Sequence, residues 1–221
     1  MTQTSKTRRL IENITRWSMM PVSRLFSYEA SYKLRLAVSV CYTQWIAPSL
    51  KQAGRSLLLM RPILLRGSQY ISIGSFTTIG RHASVTAWHL IDGLTPQLSI
   101  GSGCDLGEYI HISCANKITI GNGVLAGRWV TIVDNAHGLA DGCDLVLPPQ
   151  ERAISSKGPV EIGDNVWIGD KSTILPNVKI GQGVVIAANS VVTTSIPDYA
   201  MAAGSPARVV RIINQQGQLQ P

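Results

Sequence analysis

From Ile162 onward an aliphatic residue recurs at every sixth position: Ile162, Ile168, Ile174, Ile180, Ile186 and Val192. Glycine or alanine often follows it, as at Gly163, Gly169, Gly181 and Ala187. The same phase runs through "IGSFTTIGRHASV" (Ile73, Ile79, Val85), "IGSGCDLGEYIHI" (Ile100, Leu106, Ile112) and "IGNGVLAGRWVTI" (Ile120, Ala126, Ile132). A period of six matches neither the 3.6 of a helix nor the alternation of a plain strand. It fits a strand of about five residues closed by a tight turn, three strands to a coil, with coils stacked about 4.8 Å apart. Each aliphatic side chain then points inward onto its equivalent in the next coil, and the small residue beside it relieves crowding at the turn. The pattern predicts an all-β solenoid, a parallel β-helix.

Two segments depart from the period. Residues 1 to about 58 mix Arg and Lys with apolar residues at helix-like spacing, for example Leu25, Tyr28, Tyr32, Leu36 and Val40. They predict one to three helices forming a cap, since the open end of a solenoid must be covered. Residues 134–159 abandon the period, pass through Pro148 and Pro149, and return in "SSKGP". A protruding loop of that length in a compact repeat is usually functional. The chain thus divides into a basic, mainly helical region (1–66), the solenoid (67–213) and a flexible tail (214–221).

Charge sharpens the first division. Residues 1–66 hold 11 Lys/Arg against Glu12 and Glu29, a net +9, whereas the remainder nets −2. A basic head on a near-neutral body suits an anionic surface, and membrane headgroups fit better than nucleic acid because no nucleic-acid motif is visible. An ordinary solvated basic helix is the alternative. The four cysteines, Cys41, Cys104, Cys114 and Cys143, show no CxxC spacing and read as reduced, mostly buried thiols. The N-terminus lacks the apolar core and cleavage site of a signal peptide, and "LAVSVCYTQWIAPSL", interrupted by Gln44 and Pro48, is too short to span a bilayer. A cytoplasmic location is expected, with peripheral contact at the inner membrane face.

Over roughly residues 68–213 the chain resembles the hexapeptide-repeat acyltransferases. The likeness is most specific in "SKGPVEIGDNVWIGDKSTILPNVKIGQGVVIAANSVVTTSIPDYAMAAGSPARVV". That segment is similar to the galactoside, nodulation and xenobiotic acetyltransferases and to relatives that decorate surface polysaccharides. The resemblance implies a left-handed parallel β-helix, opposite in hand to the usual crossover. It also implies a homotrimer with active sites between subunits, and acetyl-CoA as the donor.

Of the four histidines, His82, His89, His111 and His137, the last stands in "DNAHG", where the regular strand "WVTIV" releases the chain into the long loop. Acyl transfer from a thioester to a hydroxyl needs a base of near-neutral pKa, and imidazole supplies one. The resemblance carries the role of general base onto His137; a loop histidine with a structural hydrogen bond is the alternative. It further implies that Trp167 flanks the pantetheine arm, that main-chain groups at Gly169, Ala188 and Thr193 bond its amides, and that Arg208 and Arg211 meet its phosphates. Interface packing for Trp167, and a solvated last turn for both arginines, stay open. Asp134, Asn135 and His111 are candidates for the acceptor side, with Asp134 alternatively orienting His137 and His111 alternatively satisfied between coils. Asp170 stands where relatives carry a hydroxyl, and Thr194 where they often carry lysine.

The favoured acceptor is a sugar hydroxyl of a capsule, O-antigen or exopolysaccharide, or of its lipid-linked precursor. A small soluble acceptor (an amino sugar, oligosaccharide or antibiotic) and a noncatalytic scaffold are the alternatives. No metal is expected, because zinc enzymes of this fold need three histidine ligands. The sole close pair here, in "RHASVTAWH", is far in sequence from the long loop.

Overall fold

The computed structural model describes residues 3–138 and 144–213. Asp141, Cys143 and the expected tail, 214–221, lie outside the described residues. The chain forms two units, residues 1–41 and 42–221.

The first unit is helical. Helix α1 spans Gln3–Leu25, and α2 spans Tyr28–Ile46, its last turn belonging to the second unit. The break between them is set by Ser27, whose Oγ accepts the Ala30 N–H at 3.0 Å and caps the start of α2. Exposed i,i+4 pairs, Arg8–Glu12 at 2.8 Å and Lys33–Glu29 at 2.9 Å, add a few tenths of a kcal/mol each.

The second unit is a left-handed parallel β-helix with three faces. On the first face Ala53, Ile73, Ile100, Ile120, Ile162 and Ile180 lie side by side in consecutive strands. On the second, Leu59, Ile79, Leu106, Ala126, Ile168, Ile186 and Ala202 do so. On the third, Leu65, Val85, Ile112, Ile132, Ile174 and Val192 complete the prism. The period-six residues are therefore the core, and most are fully buried. Each buried isoleucine contributes roughly 1.5–3 kcal/mol relative to an exposed one.

Three features of the solenoid differ from the sequence expectation. The first coil occupies residues 52–66, inside the region assigned to helices; Ala53, Leu59 and Leu65 keep the period, but only Ala53 is followed directly by the glycine that marks it later. Many strands keep only two residues, because each corner takes up the rest with a left-handed residue, for example Tyr109, Trp129, Asn165 and Lys171. Finally, two positions before each ladder residue a second inward row exists. It is filled on the second face by Leu57, Thr77, Cys104, Val124, Val166, Val184 and Ala200, all buried.

The N-terminal end of the prism is covered by residues 42–50. Tyr42 and Ile46 pack on the core, Leu50 is buried, and the buried Thr43 Oγ1 accepts the Leu59 N–H at 2.9 Å. Two excursions, residues 88–96 and 134–159, both leave at the corner between the third and first faces. The other corners stay tight because polar side chains bridge the coils: Asp164 Oδ1 accepts the Asn122 N–H at 2.6 Å, and Asp198 Oδ1 accepts the Gln182 N–H at 3.0 Å.

Candidate functional site

The long loop opens with a clamp. Asp134 is completely buried, and its two carboxylate oxygens accept the backbone N–H groups of Ala115 (2.7 Å) and Asn116 (2.9 Å), one coil back. Asn135 donates from Nδ2 to the Ser113 carbonyl at 2.9 Å and to Asp134 Oδ1 at 3.0 Å. Charge-assisted bonds from main-chain amides are among the stronger tethers available to a loop. They commit the side chains of Asp134 and Asn135 to holding the chain where it leaves the prism.

Beyond the clamp the chain forms a short antiparallel stem, Ala136–His137 against Ile154–Ser155. The stem is closed by the Gly138 N–H donating to the Ala153 carbonyl at 2.8 Å and by the Ser155 hydroxyl donating to the Gly138 carbonyl at 2.9 Å. The long loop is thus partly ordered, with single 3₁₀ turns at Asp144–Val146 and Pro149–Glu151. His137 is exposed on this stem. His111 is also exposed, on the outer side of the third face, paired with Thr131 of the strand that leads toward His137. His82 stacks on Tyr109 at 4.6 Å, and Tyr109 on Trp129 at 4.1 Å, along a different corner; His89 packs edge-on to Tyr70.

The remaining candidates lie on the second face. Trp167 points outward, 53% exposed, between Leu125 and Val185 of the adjacent coils, with Met201 next in the row. The last two strands, Ala200–Gly204 and Ala207–Ile212, form an antiparallel hairpin where a solvated turn was one expectation. Arg208 and Arg211 are three residues apart, so a regular strand would aim them at opposite sides. An irregularity in register at Met201/Ala202 pairs Arg211 with Met201 and Arg208 with Ala203. Directly opposed residues share a side of the sheet. Met201 and Ala203 alternate with the buried Ala200 and Ala202, so both guanidinium groups fall on the outward side that Trp167 occupies. This feature had no signal in the sequence.

Two positions named from the sequence on this face have structural partners of their own. The Gly169 N–H donates to the Ile186 carbonyl at 2.8 Å, which leaves only the Gly169 carbonyl for a ligand. Gly169 itself is required by packing: a Cβ there would lie 2.5 Å from the Ala188 nitrogen. Asp170, which departs from the relatives' hydroxyl, accepts the Arg128 N–H at 2.9 Å and ties two coils together. Ala188 and Thr193 lie close to the outer corners of the sixth coil, Thr193 being exposed. Among the described residues no group of three or more His, Cys, Asp or Glu is placed to hold a metal ion.

Within one chain the two halves of the candidate site do not meet. His137 leaves at the corner between the third and first faces, and that corner lies across the triangular prism from the second face, which carries Trp167, Arg208 and Arg211.

Comparison with known proteins agrees with this architecture. Residues 159–194 match the family described as bacterial transferase hexapeptide (six repeats). WbbJ of Escherichia coli K12, whose name assigns it to O-acetyl transfer in lipopolysaccharide biosynthesis, is 39% identical over 51% of this chain and 59% of its own. A probable acetyltransferase of Mycobacterium tuberculosis is 32% identical over 82% of this chain and 62% of its own. The galactoside O-acetyltransferase of E. coli is 33% identical over 53% of this chain and 65% of its own. The chain thus spans about three fifths of the length of these relatives. Among solved structures, AntD, an N-acyltransferase from Bacillus cereus, shares the fold with a TM-score of 0.66 at 20% identity, covering 79% of this chain and 89% of its own. The aliphatic ladder, the three-faced prism and these likenesses agree: residues 159–194 match the hexapeptide-repeat model, and over its solenoid the chain is similar to the acetyltransferases named above.

Proposed function

We propose that the chain is an O-acetyltransferase that moves an acetyl group from acetyl-CoA to a sugar hydroxyl of a surface polysaccharide or its lipid-linked precursor. It acts in the cytoplasm, at the inner membrane face. The observation that carries this reading is the placement of His137: an exposed imidazole on a clamped stem at the longer of the two breaks in the repeat. The names of WbbJ and of the galactoside enzyme support the acceptor class.

The second face suits an elongated donor with an apolar arm and an anionic end. Leu125, Trp167, Val185 and Met201 form an outward row at strand spacing, about 14 Å from end to end. Both arginines follow on the same side, and planar guanidinium groups match phosphate oxygens. Because His137 lies on the opposite edge of the prism, the working site combines the His137 edge of one copy with the second face of another, in a homotrimer.

His137 accepts the proton of the acceptor hydroxyl as that oxygen attacks the thioester carbonyl carbon. The C–S bond breaks, the acetyl group stays on oxygen, and the imidazolium returns its proton to the departing thiolate. A main-chain N–H stabilises the oxyanion. Asp134 holds the stem that aims the imidazole and has no free oxygen with which to select a sugar.

The test is acetyl-CoA turnover with a panel of native glycans, lipid-linked sugars and soluble amino sugars. His137→Ala should lower kcat by about 10²–10⁴ while the KM for acetyl-CoA stays near its original value. Unchanged turnover in that variant overturns the catalytic assignment, and acetyl found on nitrogen overturns O-transfer.

A further inference from the structure

Helix α1 carries an apolar face that the other described residues of its own unit leave exposed. At 100° per residue, Leu10, Ile11, Ile14, Trp17, Pro21 and Val22 fall within an arc of roughly 140°. Five of them are exposed by half or more: Leu10 61%, Ile11 56%, Ile14 60%, Trp17 76% and Val22 50%. All the charged residues of the helix lie outside that arc, with Met19 and Met20 among them. Lys6 and Arg24 border the arc on the Trp17 side, Arg8 borders it beyond Val22, and Arg9 and Arg16 lie opposite; Glu12 is the one acidic residue and is paired with Arg8. No helix of the described residues is long and apolar enough to cross a membrane.

We infer that α1 lies in the plane of an anionic lipid surface, with Leu10, Ile14 and Trp17 inserted among the acyl chains and the basic residues against the headgroups. This deepens, and rests on, the reading that the protein works at a membrane face. A soluble partner with an apolar groove would cover the stripe equally well, but it gives no reason for cations on both borders. A lipid interface accounts for both: apolar area drives insertion, while each basic residue near an anionic surface adds about 1 kcal/mol. An indole at the edge of the arc, between apolar and cationic residues, is placed where tryptophan favours the headgroup boundary. At about 34 Å the helix offers a long line of contact with the surface where a lipid-linked acceptor is anchored.

The full chain is incubated with vesicles of phosphatidylcholine alone or with about a third phosphatidylglycerol. Cosedimentation with the anionic vesicles is expected, with quenching by brominated lipid that is lost in Trp17→Phe. Ile14→Glu should weaken partitioning at least about tenfold. Arg9→Gln with Arg16→Gln should weaken it about thirtyfold on anionic vesicles and little on neutral ones. All variants should retain helical circular dichroism and wild-type turnover of a soluble acceptor, so a membrane failure stays separate from failure of the acetyltransferase reading. No binding to anionic vesicles overturns the inference. So does binding that is indifferent to Ile14→Glu and abolished by about 0.5 M salt, since adherence by charge alone is not insertion. Self-association lost in Ile14→Glu without vesicle binding overturns it in favour of a protein interface.

Discussion

Asp134 shows how a residue's chemistry is redirected by its surroundings. In the sequence it is one carboxylate in an acidic neighbourhood beside a histidine; in the fold both its oxygens are taken by main-chain amides of the preceding coil. Asp134→Ala should cost about 1–3 kcal/mol in denaturant unfolding, the penalty of leaving buried N–H groups unmet. It should also lower kcat, because the stem that carries His137 loses its tether, whereas Asp134→Asn keeps the shape and restores part of the stability. Cys114 offers a second residue-scale test. Burial, reinforced by the nearby Asp134 charge, pushes its thiol up to about 12 from an ordinary 9.0. The folded state therefore keeps a proton that the unfolded chain releases above about pH 8.5, so stability falls as pH rises from that value toward 12. Cys114→Ala should flatten part of that slope in denaturation midpoints measured across the range. Among the described cysteines Cys104 and Cys114 are buried and Cys41 is exposed, in keeping with the expectation of mostly buried thiols.

At the scale of elements, the two parts of the site depend on departures from regularity. The third-face strand Thr131–Val133 ends in the clamp and releases the His137 stem; the last hairpin carries a register irregularity that turns Arg208 and Arg211 to one side. Deleting Val210, the extra residue of the irregularity, should leave a regular ladder in which the two arginines stand two residues apart and still share a side. The expected result is a KM for acetyl-CoA near its original value, with the unfolding midpoint little changed, because Val210 is exposed. The period-six rule made the coils legible but not these departures. The stem depends on hydrogen bonds between segments up to 22 residues apart, and the bulge on pairing with a strand whose own register is fixed by the coil beneath it.

At the scale of the molecule, the prism separates the proposed base from the proposed donor surface, so the proposed function makes catalysis a property of an assembly. Hybrids test this directly. His137→Ala and the double variant Arg208→Ala, Arg211→Ala should each be inactive; unfolded and refolded together in equal amounts, they should recover about a quarter of the original turnover, the chance that one site draws both intact halves. No recovery, with mixed assemblies demonstrated by sedimentation, would refute a shared site. The core tolerates little: Ile132→Ala, in the third-face ladder beneath the clamp, should destabilise by about 2–5 kcal/mol.

The sequence by itself determined the coil. An aliphatic residue at every sixth position has one economical burial, stacked on its equivalent, and that local rule is written in the order of residues from Ile73 to Val192. It also marked His137, because a break in a strict period is visible without coordinates. The tertiary structure decided what the pattern leaves silent. It set the start of the solenoid at Gln52, the second inward row, the commitment of Asp134 and Asp170 to backbone amides, and the common side of Arg208 and Arg211. The physical reason is range. Burial periodicity is a property of neighbours along the chain, whereas a hydrogen bond between coils, or the side a bulged strand presents, depends on residues brought together only when the coils stack.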